Sequence, residues 1–515
     1  MKLAHTVRIR TDGYEPYAYI YNTANGYRSF SEGIASDILE LLREYTSIDE
    51  LAERIARAYH VSDTAMVRND CIDYLCELHE HQCLEQAEGA MNHEPFYEHM
   101  SHAEASSTDI SKTDDFDAEL RAVCEQNRSL EHAYFELTYR CNARCIHCYE
   151  DHCPSNPHEL TFDEVCHALD ELRAMNTMQV TFTGGEVAMR PDFIDICQYA
   201  TQLGFVVHVY TNGTGFSRGE LERLAAMGVG SVSVSLYGPT EAAHDAITQR
   251  PGSFRSAQAA LRFFKGRGIR TRVKTILIKQ TLPGMKDLID LVAAEGHELE
   301  LSLQVLASQT GAYDADALRV HDVNELADII RYEQEAMNRA TPSIRPGSRT
   351  HVCGVGYSIN ITPTGDITPC NVLTTPLGNV REASVASIWR RSRELARLRQ
   401  LSRRDLHATC RNCSLFEYCL YCPGQSWRDA WNHLVTLLCE LRARSRQGAA
   451  FARRVRARAC RRPAGRMQAK TGTCGQTRQA RAKSKAPALN AQQISLARIH
   501  PASNLVHYRP SNILK

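Results

Sequence analysis

The sequence predicts an α/β protein built on a partial (βα)6 TIM-type barrel, with a small winged-helix-like unit before it and a cysteine-rich region after it. Three observations carry this expectation. Six runs rich in β-branched residues alternate with amphipathic spacers across residues 131–345, the pattern of parallel βα units. An Asn25-Gly26 pair between alternating apolar runs, a hairpin signal, precedes three helical patterns near the N-terminus. Seven cysteines, interleaved with turn residues, fall between Cys353 and Cys439, where the regular alternation has stopped.

Taken in order, VRIR and YAYIYNTANGYRSF predict short strands between Val7 and Phe30. Helical periodicity follows over Ile34 to Tyr45, Ser47 to Tyr59 and Met66 to Leu84; Ser47 is the expected N-cap of the second helix, with Glu50 completing a capping box. Residues 1–84 therefore form the first unit. Residues 85–130 are polar, acidic and without sustained period, as a flexible linker would be. The barrel strands are expected in AYFELTY, QVTFTGGE, VVHVYTNG, SVSVSLYG, TRVKTILIK and LELSLQVLAS, separated by spacers such as FDEVCHALDELRAM. Barrel chemistry gathers at the C-terminal ends of strands, and TYRCNARC, TGGE, TNG and SLYG all fall there. The cysteine-rich region is placed at 346–441, and the basic 442–515 segment is expected to be largely disordered.

Composition narrows the class. A chain of 515 residues holds more than one core. The N-terminus has no apolar secretory segment, and no run approaches the roughly 18 apolar residues a bilayer span needs, so a soluble, cytoplasmic protein is expected. Nineteen cysteines in a long chain without an export signal point to metal or cluster ligation rather than disulfides. The formal charge of zero hides an acid-rich start and a tail with no Asp or Glu after Glu440, so net charge predicts no partner.

The stretch RCNARCIHCYED holds Cys141, Cys145 and Cys148 in CxxxCxxC spacing, one thiolate short of a closed tetrahedral shell. A zinc site would need His147 or Cys153 to complete it; the other reading is an iron–sulfur cluster with one iron left open. A three-cysteine loop after the first βα strand, followed by aromatic Tyr149, resembles the radical S-adenosylmethionine superfamily. The resemblance implies a [4Fe-4S] cluster whose open iron is chelated by S-adenosylmethionine, and reductive cleavage of that sulfonium to a 5′-deoxyadenosyl radical. It further implies that Gly184 and Gly185 admit the methionine end and that Glu186 accepts from its ammonium. It places Asn212, in the TNG of the third strand, beside the cofactor as well, with Ser233 and Ser235 near the ribose. For each serine an outward-facing strand hydroxyl is an equal reading.

The later cysteines could form two zinc ribbons. Behind such a barrel, they resemble the SPASM domain, which implies two auxiliary [4Fe-4S] clusters. Carried over by position, Cys410, Cys413, Cys419 and Cys439 would hold one, and Cys353, Cys370 and Cys422 the other, whose fourth ligand is unidentified. The spacing here is CxxCx5CxxC where the family commonly has CxxCx5CxxxC, which puts Cys422 in doubt. Cys71, Cys76, Cys166 and Cys197 lie in helical patterns and are expected to be buried thiols, whereas Cys124 and Cys153 are expected to be incidental.

The N-terminal unit is acid-rich, against the basic stripe that nucleic acid requires, which disfavours DNA binding. It is similar instead to the PqqD-like leader-peptide recognition element, in which an extended leader adds a strand to a sheet edge; a plain packing domain is the alternative. The combined resemblance, to sactipeptide-type maturases, implies an enzyme that modifies a ribosomally made precursor peptide by hydrogen abstraction, with thioether crosslinking expected and carbon–carbon crosslinking or side-chain oxidation as the alternative. Its partners would be a leader-bearing precursor and an electron donor such as a flavodoxin or ferredoxin. A redox-responsive DNA-binding regulator and a zinc-stabilised scaffold are the readings from other classes.

Overall fold

The computed structural model describes residues 1–44, 46–85, 113–150, 156–308, 313–338, 356–401 and Gly424. The N-terminal unit runs β1 (Lys2–Leu3), β2 (Val7–Arg10), β3 (Tyr17–Asn22), β4 (Arg28–Glu32), α1 (Ile34–Leu41), α2 (Ile48–Ala58), α3 (Thr64–Glu80) and β5 (Leu84–Glu85). Strands β2, β3 and β4 form an antiparallel meander, and β1 pairs with β5. Ser47 caps α2 as expected, accepting from the Glu50 amide at 3.1 Å, but the Glu50 carboxylate pairs with Arg54 at 2.6 Å. The third helix starts from an Asp63 cap and stops short of Leu84, because Gln82 turns the chain through a positive φ of 54° and frees Leu84 to pair with Leu3. The Asn25-Gly26 hairpin tip is fastened to that helix end: Asn22 and Asn25 both donate to the His81 carbonyl, at 3.0 and 2.8 Å.

Part of the expected linker is helical. Residues 86–112 lie outside the described residues, but Thr113–Asn127 form a helix, α4. Phe116, Leu120, Val123 and Cys124 are buried in an aromatic cluster with Tyr14, Tyr19 and Phe30, so Cys124 is a core residue. Its apolar positions fall on one helical face, which becomes legible only when the N-terminal sheet and the barrel floor bury it from two sides.

The barrel strands are β6 (His132–Glu136), β7 (Gln179–Thr183), β8 (Val206–Thr211), β9 (Ser231–Ser235), β10 (Thr271–Ile276) and β11 (Glu298–Ser302), parallel and in consecutive order. Helices α5 (Phe162–Ala174), α6 (Phe193–Gln202), α7 (Arg218–Ala226), α8 (Glu241–Thr248), α9 (Ser253–Gly266) and α10 (Met285–Ala294) fill the connections. The starts of α5 and α7 are fixed by reciprocal capping boxes, Thr161 with Glu164 and Ser217 with Glu220. One apolar core lies between sheet and helices and includes Phe135, Phe182, Phe193 and Phe264, all at most 1% exposed. Each such ring contributes on the order of 2–3 kcal/mol of burial free energy. Cys166 and Cys197 are buried in these helices, Cys71 is buried in α3, and Cys76 is half-buried there.

Beyond β11 come α11 (Ala315–Leu318) and α12 (Val323–Ala336). The cysteine-rich region then does not begin as a detached body. Its β12 (Ser358–Ile361) runs parallel to β6, and β13 (Asp366–Thr368) and β14 (Gly378–Asn379) continue the same sheet antiparallel, giving nine strands in all. Short helices α13 (Val385–Arg391) and α14 (Arg393–Arg399) follow. The tail at 442–515 lies outside the described residues.

The N-terminal unit seats on the N-terminal ends of the barrel strands. Arg10 donates to the carbonyls of Thr177 and Gly204, at 3.3 and 2.7 Å, just before β7 and β8. Tyr19 donates to Glu131 at 3.3 Å, and Arg270, just before β10, reaches Tyr21 at 3.5 Å.

Candidate active site

At the opposite, C-terminal ends of the strands, the chain leaving β6 is pinned before it reaches the first cysteine. Leu137 donates to the Thr183 carbonyl and its own carbonyl accepts from Arg190, both at 2.8 Å. The Glu159 carboxylate accepts from the Thr138 hydroxyl at 3.0 Å and the Tyr139 amide at 2.9 Å. The end of β7 closes on this segment: Gly185 donates to the Thr138 carbonyl and Glu186 to the Arg140 carbonyl, each at 2.8 Å.

That closeness explains the two glycines. A Cβ on Gly184 would lie 2.5 Å from the Thr138 carbonyl oxygen, and one on Gly185 only 2.4 Å from that of Arg140; Gly184 also has a φ of +142°. The sequence reading assigned these glycines to cofactor approach. What occupies the space on their Cβ side is the protein's own backbone.

The three-cysteine loop is laced to α8 like an extra strand. Arg144 donates to Thr248 at 2.9 Å, Ile146 to Ile247 at 3.0 Å, and the Arg250 guanidinium to the Asn142 carbonyl at 2.7 Å. Within the loop the Cys148 amide bonds the Cys145 carbonyl at 3.1 Å, and the Ala143 amide points at Cys141 Sγ from 3.5 Å. Burial pushes the Cys141 thiol up and Cys145 up to about 12, and in both the neighbouring cysteine charges add to the shift, so the thiols share one secluded space. Among the described residues no three His, Cys, Asp or Glu side chains converge on a single ion. Three soft sulfur donors on one loop suit an iron–sulfur cluster, in which each thiolate takes its own iron.

Glu186 is 1% exposed, and its carboxylate accepts from the Thr211 hydroxyl (2.6 Å), the Ala188 amide (3.1 Å) and the Asn212 amide (2.6 Å). Burial raises it to about 7 despite those donors. Asn212 in turn donates its side-chain amide to Asn142 at 2.8 Å, inside the cysteine loop. Ser235, at the end of β9, lies beside the Tyr237 phenol, which burial pushes up in the company of the Cys145 charge. Ser233 lies one inward-facing pair deeper along the strand.

A narrow crevice with about 10 Å³ of space for a water-sized group opens between these strand ends, lined by Tyr139, Tyr149, Gly184 and Gly185 together with Glu136 and Glu150. Two carboxylates and two aromatic faces favour a cationic ligand, such as an ammonium or a sulfonium. The sequence reading missed Glu136 and Glu150; strand alternation from Tyr134 would have turned Glu136 inward. A larger, more open groove beyond Arg140 holds neither thiol nor glycine.

Of the seven later cysteines, only Cys370 lies among the described residues; Cys353, Cys410, Cys413, Cys419, Cys422 and Cys439 lie outside them. The Cys370 sulfur accepts from the Leu373 amide at 3.3 Å, and neighbouring Asn371 reaches the Tyr149 phenol at 3.4 Å, which ties this region to the first loop.

The sequence profile of the radical SAM superfamily matches residues 135–305, and that of an iron–sulfur cluster-binding domain, SPASM, matches 353–414. The AdoMet-dependent heme synthase of Oleidesulfovibrio alaskensis is 27% identical over 345 residues, 61% of this chain and 88% of that protein. The PqqA peptide cyclase of Ruegeria pomeroyi is 27% identical over 54% of this chain and 78% of its own length, and the mycofactocin maturase MftC of Mycobacterium tuberculosis 26% over 55% and 76%. In fold the chain is similar to Streptococcus suis SuiB, whose crystal structure was solved bound to the precursor peptide SuiA: TM-score 0.53, 12% identity, 81% of this chain and 94% of that one.

Proposed function

We propose, from the premise that this chain carries a radical S-adenosylmethionine domain followed by a SPASM iron–sulfur domain, that it modifies a ribosomally made precursor peptide and installs a thioether crosslink. The observation that carries the enzymatic part is the three-thiol loop, fixed to α8 at the strand ends where Tyr149, Gly184 and Gly185 line a narrow crevice. Cys141, Cys145 and Cys148 would hold a [4Fe-4S] cluster; Tyr149, Gly184, Gly185, Glu186, Asn212 and Ser235 would surround S-adenosylmethionine. The bound pair supplies one-electron cleavage chemistry that removes a hydrogen atom from substrate. The chain's own part is to orient and exclude water. Glu186 keeps one lone-pair site on Oε2 while holding Asn212, and the wall of Tyr237 and Ile146 shields the thiols. Cys370 and the six later cysteines would hold auxiliary clusters, and a flavodoxin- or ferredoxin-type donor would reduce them in the cytoplasm. No described helix is long and apolar enough to cross a membrane.

Peptide modification is supported by relatives named peptide cyclase and maturase, and by fold likeness to SuiB over a share of the chain that residues 131–515 alone cannot reach. The N-terminal meander would bind the leader by strand addition, for which β4 offers an edge. Because that unit seats under the barrel floor, a bound leader is separated from the thiol loop by the height of the strands. A connecting segment of at least about six extended residues is needed at ~3.3 Å each. Carbon–carbon crosslinking is the second reading; relatives named peptide cyclase support ring formation without fixing the bond.

Anaerobic reconstitution, reduction and incubation with S-adenosylmethionine and a precursor peptide encoded beside the gene tests the reading. The expected product has lost two hydrogens and is protected from thiol alkylation, with 5′-deoxyadenosine formed. A product that loses two hydrogens yet still alkylates selects the carbon–carbon reading. Unchanged peptide without 5′-deoxyadenosine refutes both.

A further inference from the structure

Along β7, Val180 and Phe182 join the core beneath the helices, so Gln179, Thr181 and Thr183 face into the barrel. Strand register carries that inward face to Tyr210, Ser233, Arg272, Lys274, Glu298 and Glu300. Barrel interiors are ordinarily filled by layers of branched apolar side chains. This wall is polar and charged.

Its charges do not balance. Lys274 Nζ lies 2.5 Å from Glu300 and 4.1 Å from the centre of the Tyr210 ring. Arg272 pairs with Glu298 at 2.7 Å and Glu300 at 3.7 Å, and Arg270 pairs with Glu298 at 2.6 Å. Among the described residues of the β10 and β11 segments, three cations therefore face two carboxylates. His132 and His208, on the same inward surface, are kept neutral by burial and do not change the balance. Arg28 acts on the same two histidines; Glu131, bonded to Gln179 and Tyr19, sits at the floor, and Glu136 lines the upper crevice.

Ser233 lies opposite Arg272 on one side and Tyr210 on the other. It is 1% exposed, and its hydroxyl has no hydrogen-bond partner. A buried hydroxyl is rarely left so, because the loss of water is then uncompensated. Lys274 stands opposite Ser235, whose neighbour Tyr237 is next to Cys145, so this surface lies directly below the thiol loop.

We propose that Ser233, Arg272 and Lys274 form a carboxylate-binding subsite inside the barrel, which selects a substrate bearing an acidic group on the segment that enters beneath the three-cysteine loop. The subsite rests on the reading of the strand ends as the reaction centre and adds what the substrate must carry. A carboxylate takes the surplus charge of the β10 cations and accepts from the Ser233 hydroxyl, which Glu298 and Glu300, committed to their own pairs, do not reach.

The test uses the anaerobically reconstituted full chain and ligand-observed NMR, with three probes: acetyl-Gly-Glu-Gly-amide, its glutamine counterpart and free glutarate. The glutamyl peptide is expected to bind at least about tenfold more tightly than the glutaminyl one, the worth of one hydrogen bond to a charged group. Ser233→Ala should weaken it about fivefold. The charge-neutral double change Lys274→Gln with Glu300→Gln should erase most of the preference without unfolding the barrel. Equal binding of the two peptides, or loss of S-adenosylmethionine binding alone in Ser233→Ala, overturns the subsite. Preference for glutarate with no binding of either peptide keeps the carboxylate subsite and refutes the peptide reading.

Discussion

Glu186 and Asn212 are joined by a hydrogen bond of 2.6 Å, from the Asn212 amide to the Glu186 carboxylate, that ties the end of the second barrel strand to the end of the third. Through the Asn212 side chain the tie continues to Asn142 in the three-cysteine loop. The fold thus uses one buried carboxylate to position three strand ends whose motifs are far apart in sequence.

Replacing that carboxylate by an amide tests its positioning role. In Glu186→Gln one acceptor oxygen becomes a donor, opposed either to the Asn212 amide or to the Thr211 and Ala188 donors. The cost should be about 2 kcal/mol, read as a lower melting temperature, with weaker S-adenosylmethionine binding. A variant as stable as the parent would mean that the carboxylate does not hold the turn.

The close approach at the β7 end predicts a sharp contrast between glycines. Gly185→Ala puts a Cβ against the Arg140 carbonyl and should cost about 3 kcal/mol or more, with reduced iron loading after reconstitution. Gly219, in α7, has nothing within 4 Å of its Cβ position. Gly219→Ala should be neutral or stabilising by about 0.5–1 kcal/mol. Paired thermal melts and iron analysis decide.

Stability of the N-terminal unit should fall as pH rises toward neutrality. Burial lifts the Glu77 carboxyl from its ordinary 4.5 to about 7, with the Tyr27 hydroxyl donating to it at 3.2 Å. A raised folded value means the fold favours the protonated form. That contribution is complete below about 4.5 and is lost as pH rises through about 7. Glu77→Gln should therefore stabilise the chain at pH 8 by about 1–2 kcal/mol, after allowance for partial exposure, and have little effect at pH 4. Denaturant titrations at the two pH values check the sign.

The seat of the N-terminal unit depends on Arg10, whose guanidinium is buried between the loops before β7 and β8. Arg10→Ala leaves two carbonyls without their donor and should cost about 3 kcal/mol at that contact. Hydrogen exchange should rise around Thr177 and Gly204 while the thiol loop at the other end is unchanged. Faster exchange at both ends would mean that the floor and the strand ends are one cooperative unit.

The barrel was legible because periodicity is local: Val180 and Phe182 on one face, Gln179 and Thr181 on the other, announce a strand before any partner is known. The cysteine triplet was legible for the same reason, since its three donors lie within eight residues. Helix α4 was not, because the stripe formed by Phe116, Leu120 and Val123 is short, sits in an acidic segment, and has meaning only against surfaces more than 50 residues away in either direction. The junction of β12 with β6 was hidden likewise, since Ser358 meets His132 across a separation that no local pattern encodes.

The amino-acid sequence alone determined the six barrel strands and the helices between them, that three thiols lie on one loop, and which strand ends carry glycines, because each depends on residues close together along the chain. Tertiary structure decided what those glycines make room for, where Glu186 spends its lone pairs, and that the N-terminal unit sits beneath the barrel instead of at its mouth. It also decided that, among the described residues of the β10 and β11 segments, three cations confront two carboxylates. Each of these depends on long-range packing and burial, which set the distances and the dielectric surroundings on which electrostatic and steric free energies depend.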